Sequence, residues 1–429
     1  MSNRVAKDFE ILPYSALVLD IQYKQILQAM LQLVHSNDRA ELIKGIEQLM
    51  VKDPQQERLL VTLSVRTALD LALQSLDLPP GSEIIVTAVN IPDMMTVFRY
   101  HGLIPVPVEI DAKTLSPKLE DIKQAYKPGK TTGLMVSYLY GAKFDSTEIF
   151  KWAKQQQLIV LEDEAESFDG PQRNGNPLAD LTFFSFGSIK PATSFGGAIT
   201  ILRNNEVLYR KMKAIQDKYD FVPRSKFLKK CLINMGVILG TNTRFSGPLY
   251  KIITPLIDNG LVQIDYREYF VSKIRGFQTT QQRFLEAFRY QMPTPMIYLL
   301  LMRLSQFDYQ ELQQNTNKLN FAQQQLIDYG LEVPGILTSD PYLFYKIIIS
   351  RGAVGTYLGA TQLKVVPSPL GHSYKYPQKT EEFFKQIVYL PIHKDVPQSG
   401  IEKIIKQAVE TEKIVKNLKS RKLADYPKL

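Results

Sequence analysis

From Leu59 to Leu202 the chain alternates short apolar runs with segments of helical periodicity, and this alternation restricts the fold more than any other feature of the sequence. LLVTLS (Leu59–Ser64) reads as a strand, Arg66–Leu76 as a helix and, after the PPGSE turn, Glu83–Val86 as a buried strand. A helix over Met94–His101, a strand over Ile104–Ile110, a helix around Leu119–Tyr126, a strand over Gly133–Tyr140, a helix over Asp145–Gln157 and a strand over Leu158–Asp163 continue the series. Repeated βα units of this kind predict an α/β fold. Its sheet is mainly parallel, helices cover both faces, and ligands sit at the carboxyl ends of the strands.

Those strand ends carry three suggestive groups. Ser64-Val65-Arg66-Thr67 opens a helix, where free N–H groups and the helix dipole favour an anion and Arg66 can add a charged contact; an ordinary N-cap at Ser64 is the simpler explanation. LEDEAES places carboxylates where a strand leaves the sheet. A buried Asp163 there needs a cationic partner or good hydrogen bonds, although capping alone also explains the residue. The third group is the turn between two β-like runs, LTFFS and AITIL, which holds Ser185, Lys190 and the Gly196-Gly197 pair. A lysine partly desolvated between apolar strands is a better nucleophile than a surface lysine. Taken together, in this order, the three groups describe a pyridoxal phosphate site: an amine for the aldehyde, a carboxylate for the ring nitrogen and donors for the phosphate.

Composition narrows the alternatives. With 429 residues, 45% of them hydrophobic, the chain can build one large domain and a smaller one. The single cysteine, Cys231, excludes an internal disulfide, and the four histidines, His35, His101, His372 and His393, offer no metal-ligand spacing. No signal-peptide layout and no membrane-spanning apolar run are present in the sequence, so a reducing, cytoplasmic setting is expected. The net charge of +9 points to an anionic partner, but its basic residues are spread along the chain and form no nucleic-acid module.

Five blocks in chain order carry a resemblance to a known family. They are GSEIIVTAVNIPDMMTVFRYHGLIPVPVEID (81–111), SYLYG (Ser137–Gly141), LIVLEDEAESFDG (Leu158–Gly170), SFGSIKPATSFGGAI (Ser185–Ile199) and IVYLPIHKDVPQSGIEKIIKQ (Ile387–Gln407). On these the chain resembles the DegT/DnrJ/StrS aminotransferases, fold-type I pyridoxal phosphate enzymes that make amino sugars. The resemblance implies a large domain with a seven-stranded, mainly parallel sheet, a smaller C-terminal α+β domain, and a homodimer with shared active sites. It implies Lys190 as the Schiff-base lysine and proton shuttle, Asp163 as partner of the pyridinium nitrogen and Ser185 as a phosphate ligand. Arg66 and Thr67 fall at the family's phosphate-binding helix start. Lysine rather than histidine at position 190 favours transamination over the family's dehydratase branch.

Several positions depart from the family pattern. Ile91 stands where an aromatic residue stacks on the cofactor ring, and Glu166 where a glutamine faces its phenolic oxygen. Arg289, in RYQM, stands where the partner subunit lends an asparagine to the phosphate. The implied activity is transfer of an amino group from an amino acid to a carbonyl acceptor of the sugar class, nucleotide- or lipid-linked. The departures keep open a second reading, a catalytically altered or inactive homologue that serves as a binding or membrane-associated protein.

The expected domain layout is a helical N-terminal arm over 1–58, a cofactor-binding large domain over 59–205, an insertion over 206–285, and an interdomain helix with the small domain over 286–429. The insertion holds the basic residues Arg224, Lys226, Lys229 and Lys230, followed by the apolar run Cys231–Leu239. That run is too short to span a bilayer. Two expectations follow for 222–257: packing as a buried helix, or peripheral attachment to an anionic membrane surface at the inner face.

Overall fold

The computed structural model describes residues 19–35, 37–111, 113–139, 141–142, 144–241, 284–330, 346–349, 387–390, 392–406 and 409–410. Seven strands form the central sheet: β1 (Glu57–Thr62), β2 (Glu83–Thr87), β3 (Ile104–Val108), β4 (Thr131–Ser137), β5 (Ile159–Asp163), β6 (Leu181–Ser185) and β7 (Ala198–Arg203). They lie in the order β1-β7-β6-β5-β4-β2-β3. The pairings from β3 through β2, β4, β5 and β6 are parallel, whereas β7 runs antiparallel to both β6 and β1. The sheet is therefore mixed and mainly parallel, with seven strands as expected.

β1 starts at Glu57, before the apolar run, and ends at Thr62. The difference has a charged cause: Glu57 is in register with Arg203 on β7, and Arg203 Nε stands 3.3 Å from Glu57 Oε1 in a buried ion pair. A hydrophobic pattern cannot register a strand end held by charge. At the other end Ser64 leaves the sheet because it caps the helix that follows.

That helix, α3 (Val65–Leu76), packs on α4 (Pro92–Tyr100) and α7 (Glu206–Gln216) to cover one face of the sheet. Leu60, Ile84, Val86, Met135, Leu161, Leu181 and Phe183 point into this layer. Alternate strand residues, such as Leu59, Val61, Phe184 and Ile199, face the opposite side. There α1 (Tyr23–Leu31), α2 (Arg39–Met50), α8 (Arg224–Thr241) and α9 (Thr294–Ser305) pack together, while α6 (Thr147–Gln155) covers β4 and β5. α5 (Leu119–Ala125) lies against β3. A further core joins α10 (Tyr309–Asp328) to Ile392, Val396 and the helical residues 398–406. β8 (Lys346–Ile349) pairs antiparallel with β9 (Ile387–Leu390) in a separate small sheet.

In α8 the apolar run divides between two environments. Cys231 and Val237 are buried in the core with Phe227, whereas Leu232 and Leu239 are exposed. Among the described residues no helix is long and apolar enough to cross a membrane. Of the stretch 222–257, residues 242–257 lie outside the described residues.

Candidate active site

The lysine turn is built between β6 and β7. The Phe186 N–H donates to the Gly197 carbonyl at 3.0 Å, the Gly196 N–H returns to the Phe186 carbonyl at 3.0 Å, and the Lys190 N–H closes on Gly187 at 2.9 Å. Phe186, Ala192 and Phe195 are fully buried beneath the turn. Ala192 and Phe195 both hold left-handed backbone, with φ of 50° and 65°, a conformation that costs about 1 kcal/mol or more for a residue with a side chain. Tertiary contacts hold this strained loop in place. One comes from outside the turn: the Ala192 N–H donates to Asp20 Oδ2 at 2.8 Å. Burial pushes the Asp20 carboxyl up, but Arg303 and Lys394 outweigh burial and keep it below the usual range. Asp20 is a site-supporting residue that sequence reasoning missed, since its contacts lie across the chain.

Lys190 projects from this turn with its side chain 15% exposed, and its Nζ donates to Glu166 Oε1 at 3.3 Å. Glu166 follows β5, the strand that ends in Asp163. Strand alternation sends Glu162 and Asp163 to opposite faces. Glu162 is held in a structural network, accepting from the Asn176 N–H at 2.8 Å, Thr182 Oγ1 at 2.8 Å and the Tyr138 hydroxyl at 3.1 Å. Asp163 faces the site. Its Oδ1 accepts from the Ala165 N–H at 3.1 Å and its Oδ2 from Ser137 Oγ at 3.3 Å. Ser137 Oγ in turn accepts from Asn90 Nδ2 at 2.8 Å. Burial pushes the Asp163 carboxyl up to about 6, against the lowering effects of the Ala165 N–H and the Lys190 charge. Ser137 and Asn90 were not singled out from the sequence, although the strand-end rule points to both of their strands.

The anion end of the site is the start of α3. Ser64 is the N-cap, its Oγ accepting from the Thr67 N–H at 3.2 Å. The Thr67 hydroxyl donates to the Phe288 carbonyl at 2.8 Å, so both of its donors are engaged within the chain. The amides of Val65 and Arg66 are the first two of the helix and have no intrahelical acceptor. The Arg66 guanidinium forms an ion pair with Asp93 of α4. Ile91 is the N-cap residue of α4, and its side chain packs with the apolar layer that includes Val65 and Phe288.

Sheet register brings the remaining groups to this end. Ala198 is paired with Ser185 on one side and Thr62 on the other, and the Gly197 N–H donates to the Leu63 carbonyl at 2.8 Å. Ser185 therefore lies at the same end of the sheet as the helix start. Arg289 is held elsewhere: its Nε and Nη2 meet the two oxygens of fully buried Asp70 at 2.8 and 2.9 Å, one turn deeper in α3. Burial pushes Asp70 up, yet hydrogen bonds from His101 and Arg289 hold it below the usual range. Within this chain Arg289 thus anchors the 284–291 segment to α3.

Comparison with known proteins was decisive here: the model of the DegT/DnrJ/EryC1/StrS aminotransferase family matches residues 33–247, half of the chain. The chain belongs to this family. Its similarity to individual members is moderate. The GDP-perosamine synthase of Escherichia coli O157:H7 is 28% identical over 211 residues, covering 48% of this chain and 53% of that protein. The chain spans about half the length, or less, of the curated relatives it matches. Among solved structures, the aminotransferase TlmJ from Streptoalloteichus hindustanus aligns with a TM-score of 0.65 at 16% identity, over 93% of this chain and 98% of that one. Spr1654 from Streptococcus pneumoniae in its PLP form aligns at 0.63 and 18% identity, over 95% and 100% of the two chains. These likenesses establish the fold-type I architecture.

The residues present fit pyridoxal phosphate, the cofactor of the family. Asp163 is a buried carboxylate that, among the described residues, makes no salt bridge, and a protonated ring nitrogen is the partner it lacks. Ser188, on the lysine turn, is a buried hydroxyl with no hydrogen-bond partner among the described residues. The Val65 amide at the start of α3, with Ser185, provides donors for a phosphate.

Proposed function

We propose that the protein is a pyridoxal phosphate-dependent aminotransferase that moves an amino group from an amino-acid donor to a carbonyl acceptor of the sugar class, nucleotide- or lipid-linked. The observation that carries this reading is the placement of Asp163 at the end of β5 and of Lys190 on the turn that follows the neighbouring strand β6, one a buried carboxylate that makes no salt bridge among the described residues, the other an amine held on a strained turn. The cofactor supplies an aldehyde for amines and a ring that withdraws electrons from the adjoining carbon. Asp163 holds the proton on the ring nitrogen, and Ser137 and Asn90 orient Asp163. Lys190 would be the residue that holds the cofactor through its aldehyde, and its amine would serve as the base and acid that moves a proton at the reacting carbon of the substrate. Support for the sugar class comes from relatives such as the GDP-perosamine synthase. The family also supports a homodimer.

The contact between Lys190 and Glu166 favours a second reading, in which the fold is kept and catalysis is lost. One experiment divides the two. Borohydride reduction of the protein with its cofactor is expected to fix a pyridoxyl group on Lys190, found by peptide mass, and an amino-donor screen is expected to release pyridoxamine phosphate. No adduct, or an adduct without turnover on any donor, would favour the second reading. The exposed Lys226, Lys229, Leu232 and Leu239 of α8 support attachment to an anionic membrane surface. Flotation with phosphatidylglycerol vesicles tests this, and failure to float removes it.

A further inference from the structure

α8 brings a cation to the anion end of the site that no motif assigned. Lys230 Nζ lies 3.5 Å from the place a Cβ on Gly196 would occupy. Gly196, with φ of +158°, is hydrogen-bonded to Phe186, and Gly197 beside it is tied to Leu63, the residue before the α3 cap. Lys230 thus reaches the strip of backbone that joins Ser185 to the start of α3. The residue is half-buried.

Among the described residues no carboxylate pairs with this ammonium. The groups that face it are the Arg66 guanidinium and the Cys231 thiol. Cys231 offers no counter-charge, because burial pushes its thiol up to about 12. Burial, and then repulsion from Arg66, bring Lys230 down to about 8. Two cations side by side repel, and Asp93, paired with Arg66, answers only one of the two charges, so an anion at this end would be favoured. The Val65 amide, first of the helix, presents a donor at the same end of the sheet.

We infer that Lys230 is a ligand of the cofactor's phosphate, joining the Val65 amide and the Ser185 hydroxyl. This inference rests on the cofactor reading given above. It assigns to α8 a binding role that its sequence, read as a membrane or packing segment, does not reveal. The same point near Gly196 lies 3.4 Å from the Met296 Sδ and Cε, so Lys230 and Met296 border this strip of backbone together.

The test compares pyridoxal phosphate with pyridoxal, which has the aldehyde and ring but no phosphate. Dissociation constants are measured by absorbance titration for the wild type, Lys230→Met and Lys230→Arg. Lys230→Met is expected to raise the constant for pyridoxal phosphate at least tenfold and to leave that for pyridoxal within twofold. Lys230→Arg is expected to recover most of the loss. Without cofactor, Lys230→Met is expected to melt at or above the wild-type temperature, because the repulsion between Lys230 and Arg66 has been removed. Equal weakening for both ligands, or none for either, overturns the inference while leaving the cofactor reading intact. A wild type that binds neither ligand and yields no borohydride adduct on Lys190 defeats the cofactor reading, and the inference with it.

Discussion

Lys190 Nζ and Glu166 Oε1 are 3.3 Å apart, which joins the amine of the lysine turn to the segment that leaves β5. The two side chains are 15% and 21% exposed, so water screens the pair only in part. This contact must open before the amine can react. Glu166→Gln keeps the shape of the contact and replaces an ion pair by a hydrogen bond from the ammonium to a neutral amide, a difference of about 1 kcal/mol. Cofactor attachment, followed by stopped-flow absorbance, is expected to be roughly threefold to tenfold faster in the variant. An unchanged or slower rate would show that the pair does not limit attachment.

Asp163 gives the cofactor-free protein a pH-dependent stability. Its carboxyl in the folded state lies at about 6, above the ordinary 3.8, so the fold holds this proton more tightly than the unfolded chain does. The associated stability is full below the ordinary value and is lost as pH rises through about 6. Asp163→Asn removes the titration. Melting temperatures of cofactor-free protein at pH 4.5 and 7.5 are expected to show the wild type losing ground to Asp163→Asn as pH rises. A constant difference between the two proteins would refute the assignment.

Arg289 separates an anchoring role from a phosphate-binding one. Removing it leaves fully buried Asp70 with only His101, Gln74 and Tyr219. Arg289→Ala is expected to destabilise the fold by about 2 kcal/mol, less than for a wholly buried pair because the arginine side chain is 34% exposed. The affinity for pyridoxal phosphate should change less than threefold. If affinity falls tenfold with stability unchanged, Arg289 acts on a phosphate.

Gly175 is held by the network behind the site. Its φ is +92°, and an added Cβ would lie 2.3 Å from Glu162 Oε2 and 2.5 Å from Thr182 Oγ1. Neither side chain can withdraw without breaking buried hydrogen bonds. Gly175→Ala is expected to cost roughly 2–4 kcal/mol in chemical denaturation. A cost under about 0.5 kcal/mol would mean that the network rearranges freely.

The sequence by itself determined the βα order, the strand ends that carry chemistry, and the roles expected of Lys190 and Asp163. These are legible because apolar periodicity and turn residues are local, and because strand ends in an α/β sheet converge on one side. Glu57 and Arg203 were the exception, since a charged strand end has no apolar signature. Only the tertiary structure decided which donors remain available. Thr67 is spent on Ser64 and Phe288, and Arg289 on Asp70, while Lys230 arrives at Gly196 from a helix far along the chain. Hydrogen bonds and ion pairs across such separations depend on where the sheet and helices bring the chain back together. Spacing along the sequence carries no record of that.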